Sequence, residues 1–335
     1  MAYTLEDIAR MAGVSRATVS RVLNNYPHVR PEVRERVLRV VREVGYTPHA
    51  VARSLATQRT HVLGLIIPEA VSTLFTDPFF SLLITGITHA CHARGYHLML
   101  SLFTTPEEET TLAPRLLKGG YVDGVILAST RLEDPLIGWM LEEHIPFVLI
   151  SRHPDPRVTY VDADNIQGAR MAVDYLIRQG HTRVATITGP LDMAPGQDRL
   201  EGYRRAMQAH RLPVHEAWIV EGDFTEEGGM AAMQQLLALP DAERPTAVFV
   251  ASDTMAMGAL KAVKDAGLHV PQDITLVGFD DLPQTAYLDP PLTTVRQPIP
   301  RLGETAVHLL LELLQYGPER VQRVVLPTEL VIRAT

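Results

Sequence analysis

Leu5, Ile8, Ala9 and Ala12 recur at the three- and four-residue spacing of one helical face. Thr4 precedes them as an N-cap with Asp7 three residues on, a capping-box arrangement, and Gly13 stops the turn. Ser15 caps again, and a second short helix is expected through Leu23. Pro31 opens a third helix and Gly45 lies just past its end. Val33, Val37, Val40, Val41 and Val44 form its apolar stripe, with Arg34, Arg36, Arg39 and Arg42 lying off it. Two short helices joined through a glycine turn predict a helix-turn-helix within a three-helix head over 1–46. From 61 onward the pattern changes. Short apolar runs at 62–67, 97–102, 122–127, 147–150, 184–187, 248–250 and 274–277 alternate with helical patterns at 80–94, 106–118, 165–179, 199–209, 226–237 and 253–266. This alternation predicts an α/β body of parallel sheets covered by helices on both faces. A break near 155–160 divides the body into two similar halves, and a last strand-like run covers 324–332.

The 335 residues are 46% apolar and 21% charged, which excludes a disordered chain and allows two or three domains. No run approaches the eighteen or so apolar residues of a spanning helix, and acids stand where a signal peptide carries a basic end. With one cysteine, Cys91, no internal disulfide framework is possible. A soluble cytoplasmic protein is expected. The formal charge of −8 is unevenly spread: residues 1–60 hold ten arginines, no lysine and five acids, a net +5, which leaves −13 for the rest. A basic head on an acidic body is the footprint of an N-terminus that meets a polyanion. A solvated basic face would carry the same charge, so the helical pattern of the head has to decide.

That pattern resembles a known family. The stretch from Thr4 to Asn24, with Thr4-Leu-Glu-Asp-Ile-Ala-Arg10 and Val14-Ser-Arg-Ala-Thr-Val-Ser-Arg-Val-Leu-Asn24, resembles the DNA-binding head of the lactose-repressor (LacI/GalR) family of bacterial transcription regulators. Tyr46-Thr-Pro-His-Ala-Val-Ala-Arg-Ser-Leu55 resembles its hinge helix. Gly180-His181, Arg199-Leu-Glu-Gly202, Val277-Gly-Phe-Asp-Asp281 and Pro290-Pro-Leu-Thr-Thr294 extend the resemblance almost to the C-terminus. It implies a head over 1–46, a hinge helix and linker over 47–60, and an effector-binding and dimerisation body over 61–335. The body would be two doubly wound lobes like a periplasmic sugar-binding protein, lobe one about 61–160 and 297–322, lobe two about 161–296 and 323–335. Arg16 and Ala17 would open the recognition helix toward base edges, where arginine favours guanine. Thr4, Ser15, Thr18, Ser20 and Asn24 suit phosphate oxygens, as does Tyr46, while Arg21 suits either partner. Leu55 is implied to wedge into the minor groove with its twin in a dimer. Two departures stand out. Arg30 replaces the family's usual capping serine or threonine before the third helix, and His49 replaces its asparagine after the hinge proline.

Ligands at the carboxyl ends of parallel strands are the general expectation, so the loops there hold the effector candidates. Asp77, Phe79 and Phe80 follow the first strand and offer an acid beside two rings. Arg199 resembles the arginine that grips effector hydroxyls in the family, and Asp280 the acid facing it. Ser129, Arg152, Phe224, Ser252 and Asp253 occupy matching loop positions. One forked cation, acids and ring faces suit a neutral saccharide; a flat base would need polar donors where Met193, Ala194 and Pro195 stand. Family departures here are an extra stretch at 70–76 and Ser151 in place of an acid. Catalysis is not expected. Lys118, Lys261 and Lys264 follow no glycine, and Pro68-Glu69 replaces a G-x-G-x-x-G turn. No G-x-S-x-G or H-E-x-x-H occurs, and adjacent Asp280 and Asp281 should point apart. His89, Cys91 and His92 diverge on a helix and make no metal site, and no cofactor is expected. The expected protein is therefore a homodimeric, effector-controlled repressor of a near-palindromic operator, associated with the nucleoid and not with membranes. A sugar-binding protein without regulatory DNA binding, or a sugar-processing enzyme on the same body, are the alternatives.

Overall fold

Thr4 caps the first helix, α1 (Leu5–Ala12), as its spacing from Asp7 requires. Thr4 Oγ1 accepts from Asp7 N at 3.2 Å and Asp7 Oδ2 accepts from Thr4 N at 3.0 Å, so two amides at the helix start are satisfied reciprocally. The computed structural model describes residues 3–23, 26–46, 59–67, 76–103, 105–128 and 131–335. Asn24, Ser129, His49, Leu55 and the expected hinge helix lie outside the described residues. Gly13, at φ 62°, ends α1 in the left-handed conformation that glycine adopts without strain. Ser15 Oγ then accepts from Thr18 N at 3.1 Å and opens α2 (Arg16–Leu23). α3 (Pro31–Val44) starts on its proline with no side-chain cap from Arg30, while Arg34 donates to the Tyr26 carbonyl and ties the preceding loop to the helix. Ile8, Ala9, Ala12, Val19, Val22, Val37 and Val40 make the core of the three helices.

The chain divides into two units, Met1–His61 and Val62–Thr335. In the second, the first half runs β1 (Val62–Ile67), α4 (Pro78–Ala93), β2 (His97–Leu102), α5 (Pro106–Lys118), β3 (Gly124–Ala128), α6 (Pro135–Glu142), β4 (Phe147–Ile150) and β5 (Tyr160–Ala163). The chain then crosses into α7 (Asn165–Arg178), β6 (Val184–Thr188), α8 (Ala194–Ala209), β7 (Ile219–Glu221), α9 (Glu226–Leu237), β8 (Ala247–Val250), α10 (Asp253–Asp265), β9 (Thr275–Asp280) and β10 (Thr293–Arg296). It returns to the first half as α11 (Ile299–Tyr316) and β11 (Arg323–Leu326), and ends in the second as β12 (Glu329–Val331). The sheets are ordered β11-β5-β4-β3-β1-β2 and β12-β10-β9-β8-β6-β7. All pairings are parallel except β10 with β12.

Alternation along each strand makes the winding double, because successive side chains leave opposite faces. Leu63, Leu65 and Ile67 pack with Leu83 and Ile87 of α4 and Leu310 of α11, whereas Ile66, Val125 and Leu127 pack with Ala113 of α5 and Met140 of α6. In the second sheet Ile187, Val248 and Val250 pack with Met233 and Ala259, and Val184, Phe249 and Phe279 with Val173 and Tyr203. In each sheet the order reverses between the first and third strands of its half, which leaves a crevice at the carboxyl edge. Both crevices open on the same cleft.

Several expectations are corrected. The run over 324–332 is two strands in different sheets, because Pro327 cannot continue the ladder and the chain crosses there. The helix expected from 199 begins at Ala194, since Pro195 is tolerated in a first turn. Gly196 is required there: a Cβ would lie 2.0 Å from the Pro190 carbonyl oxygen. β5 and β11 both join the first sheet, so the lobe borders expected at 160 and 322 shift to the strand ends. The short strands β5, β7 and β10 and the eight-residue helix α6 have no counterpart in the sequence pattern; three or four strand residues give too little periodicity to read.

Helices α4 and α11 meet where glycine lets their backbones approach. A Cβ on Gly86 would stand 2.1 Å from the Pro300 carbonyl oxygen. Gly86→Ala should therefore force the helices apart and destabilise the body by about 1–3 kcal/mol. A lower urea midpoint at unchanged slope is expected, and an unaltered midpoint would contradict the close approach.

Candidate functional site

On the head, α2 leaves Ser15, Arg16, Ala17 and Arg21 exposed, with Thr18 and Ser20 half-buried. Arg16 forms a 3.0 Å ion pair with Glu6, but both side chains are more than half exposed, so water screens the pair and the guanidinium is easily released. Thr4 and Ser15 spend their hydroxyl oxygens on capping, which aims the helices. Tyr46 packs its ring against the head's core.

The cleft between the two sheets encloses a cavity of about 100 Å³, of the order that takes a six-membered ring. Phe79, Phe80 and Phe224 give it aromatic walls, with Ile150, Met193 and Pro195 beside them. Its polar wall is Asp77, Ser151, Arg199, Asp223, Ser252, Asp280 and Gln297. Phe79 and Phe80 meet edge to face at 5.3 Å between centroids. Gly189 clears space for the Phe224 ring, whose Cζ lies 2.1 Å from where a Cβ would stand. Ser151, Phe224 and Asp280 hold φ angles of 138°, 65° and 128°, a costly backbone for residues with side chains and one that concentrates at functional walls.

Arg199 and Asp280 are only 6% and 7% exposed and lie 3.6 Å apart, Nη1 to Oδ1. Arg199 Nε donates to Asn165 Oδ1 at 2.9 Å, Nη1 donates to the Ala251 carbonyl, and Cζ stacks 3.8 Å from the centroid of Phe279. Gln297 Nε2 donates to Asp280 Oδ1 at 2.6 Å. Asn165 Nδ2 donates in turn to Asp162 Oδ1 at 3.0 Å, and Asp162 Oδ2 accepts from Arg152 N at 2.9 Å. The cavity wall is thereby hydrogen-bonded to the β5–α7 crossover through Asn165 and to the β10–α11 crossover through Gln297. Burial pushes Arg199 below the usual guanidinium range and Asp280 well above the carboxylate range, the latter held down by Arg199 and raised by Asp253 and Asp77. Burial also raises Asp162 and Asp253 to about 6. Ser151 Oγ is buried and finds no hydrogen-bond partner among the described residues.

Two expected cavity residues are elsewhere. Arg152 reaches across the lobes to Asp198 of α8, both oxygens at 2.6 Å, and is consumed by that bidentate pair. Asp253 is fully buried behind the wall, accepting from Leu282 N at 2.8 Å and Thr294 Oγ1 at 2.5 Å. Conversely, Asp223, Gln297 and Ser151 line the cavity without having been expected to. Asp223 follows an unread short strand, and Gln297 arrives from a crossover that has no sequence periodicity. A second link between the lobes runs along the rim, where Arg131 pairs with Asp192 at 3.0 Å and Leu132 N donates to the Asp192 carbonyl at 2.9 Å.

A helix-turn-helix head on a two-lobed body with a polar, aromatic-walled cleft defines the class of ligand-binding regulators. Residues 4–49 match the lacI family of bacterial regulatory proteins, and 173–335 match a periplasmic binding protein-like domain. The HTH-type transcriptional regulator CelR of Thermobifida fusca is 40% identical over 334 residues, covering 98% of this chain and 97% of its own. A solved CelR–cellobiose complex has a TM-score of 0.78 at 38% identity and covers 99% of both chains. The lac repressor dimer bound to operator and the anti-inducer ONPF has a TM-score of 0.86 at 30% identity, covering 100% of this chain and 99% of its own. The chain belongs to the lacI family.

The raised acids have a pH consequence. A carboxyl at about 6 keeps its proton between pH 4 and 6 while the unfolded chain, at 3.8, has lost it. Its contribution to stability is full below 3.8 and fades as pH rises through about 6. Carboxyl-carbon NMR should place the Asp162 titration near pH 6; a midpoint near 3.8 would contradict its burial.

Proposed function

We propose that the chain is a homodimeric transcriptional repressor of the cytoplasm whose affinity for a near-palindromic operator on the nucleoid is set by a saccharide held between its lobes. The observation that carries this is the hydrogen-bonded path from the cavity wall through Arg199 and Asp280 to both crossovers, in a chain that also bears the helix-turn-helix head. A ligand in the cleft acts on the segments about which the lobes close, and shifts the balance between conformations by the difference in its affinity for them.

Asp77, Phe79, Phe80, Ser129, Arg199, Phe224, Ser252 and Asp280 are the proposed effector contacts, joined by Ser151, Asp223 and Gln297. Arg199 and the acids take ring hydroxyls while the aromatic rings cover an apolar ring face. On DNA, Arg16 and Ala17 read bases. Thr4, Ser15, Thr18, Ser20, Asn24 and Tyr46 position the head on phosphates, Arg21 serves either purpose, and Leu55 kinks the operator centre. The cellobiose bound by the CelR structure and the dimer and operator of the lac repressor structure support this by analogy.

Operator selection from random duplex DNA, with and without neutral sugars, tests the proposal. Dimeric binding is expected, with affinity falling steeply as salt rises because the basic heads release counterions. Monomeric, salt-independent binding would overturn it. Removing one member of a buried charged pair leaves the other unsatisfied at a cost of about 1–3 kcal/mol or more. Arg199→Ala should accordingly lose about tenfold or more in effector affinity by calorimetry, and a full effector response would leave Arg199 a structural residue only.

A further inference from the structure

The charges of the cleft restrict which sugars it can hold, and this step rests on the saccharide effector proposed above. Asp77, Asp223 and Asp280 face the cavity against one cation among its described lining residues, Arg199. That guanidinium has already committed Nε to Asn165 and Nη1 to the Ala251 carbonyl and Asp280. A second, open cavity shares Asp223 and adds Asp192 and Glu221, and its own arginine, Arg131, is paired with Asp192. An anion in the cleft meets an acidic wall beside a second acidic cavity, in surroundings dry enough to strengthen the repulsion.

Helix N-termini are the usual substitute for a cation in holding phosphate. Two of those that face the cavity are already served. Asp77 caps α4, its Oδ1 accepting from Phe79 N at 2.9 Å. Asp280 Oδ2 lies 3.4 Å from Asp253 N at the start of α10, where Ser252 Oγ accepts from Met255 N at 3.2 Å. Helix α8 has no side-chain cap, but Pro195 in its first turn removes one of the amides it could offer. Ring hydroxyls meet the opposite situation, since carboxylates accept what hydroxyls donate and the Ser151 hydroxyl stands ready for either role.

We propose that the cleft admits neutral polyhydroxylated rings and rejects their phosphate esters. The effector must then come from a reaction that leaves the sugar unphosphorylated, such as glycoside hydrolysis. A kinase reaction, in which a nucleoside triphosphate passes its terminal phosphoryl group to a sugar hydroxyl and releases the diphosphate and the hydroxyl proton, would turn it into such an ester. Phosphorylation ends the signal by making the ligand one the cleft excludes.

Calorimetry on the full-length protein at neutral pH, with D-ribose, D-glucose and cellobiose and then the phosphate monoester of each, tests this. At least one neutral sugar should bind, and its ester should bind at least about tenfold more weakly. Asp77→Asn keeps a capping side chain but removes one charge, and should narrow the gap several-fold; Asp223→Asn should do the same without touching the α4 cap. An ester that binds as tightly as its parent sugar overturns the inference while the saccharide effector stands. A protein that binds no sugar overturns both, and a gap unmoved by either substitution overturns charge as its cause.

Discussion

A guanidinium can be buried only if its donors are met and its charge is offset, and Arg199 satisfies both conditions by gathering the interlobe region around itself. Asp280 supplies the charge, Asn165 and the Ala251 carbonyl accept, and the Phe279 face stacks below. Asn165 belongs to one crossover, and Gln297, bonded to Asp280, to another. The same residue therefore forms the cavity wall and grips the strands on which the lobes would turn. Removing or redirecting one hydrogen bond at Arg199 cannot stay local.

The acids around it explain why the site is poised and not merely stable. Asp162, Asp253 and Asp280 are all pushed upward by burial, and Asp77 from the first lobe adds to the pressure on Asp280 from the second. Bringing the lobes together crowds carboxylates unless donors are placed between them. Ligand hydroxyls are such donors. On the proposed function, occupancy would therefore favour closure; Arg152–Asp198 and Arg131–Asp192 link the two lobes at other points.

Much of this was legible in the sequence. Thr4, Asp7, Gly13, Pro31 and Gly45 punctuate the head through local chemistry, so its helices could be read from spacing alone. Strands buried on both faces read as continuous apolar runs; Asp280 ends one of them, while Asp77 caps α4 and Arg199 lies within α8. What escaped depended on distant partners. Arg152 looks like a free loop cation until Asp198 is found 46 positions away across the cleft. Asp253 looks like a loop acid until Leu282 and Thr294 bury it. Asp223 and Gln297 carry no local motif, and the positive φ angles of Ser151, Phe224 and Asp280 leave no mark in a sequence that lacks glycine at those positions.

Linkage offers the most direct measurement. If the sugar cleft and the helix-turn-helix head are two sites of one equilibrium, the factor by which sugar changes operator affinity must equal the factor by which operator changes sugar affinity. Sugar affinity should be measured by calorimetry on the free dimer and again on the dimer saturated with its selected operator. Both factors are predicted to depart from one, and by the same amount. A sugar affinity indifferent to the operator, alongside an operator affinity that sugar leaves unchanged, would show that cleft and head are uncoupled.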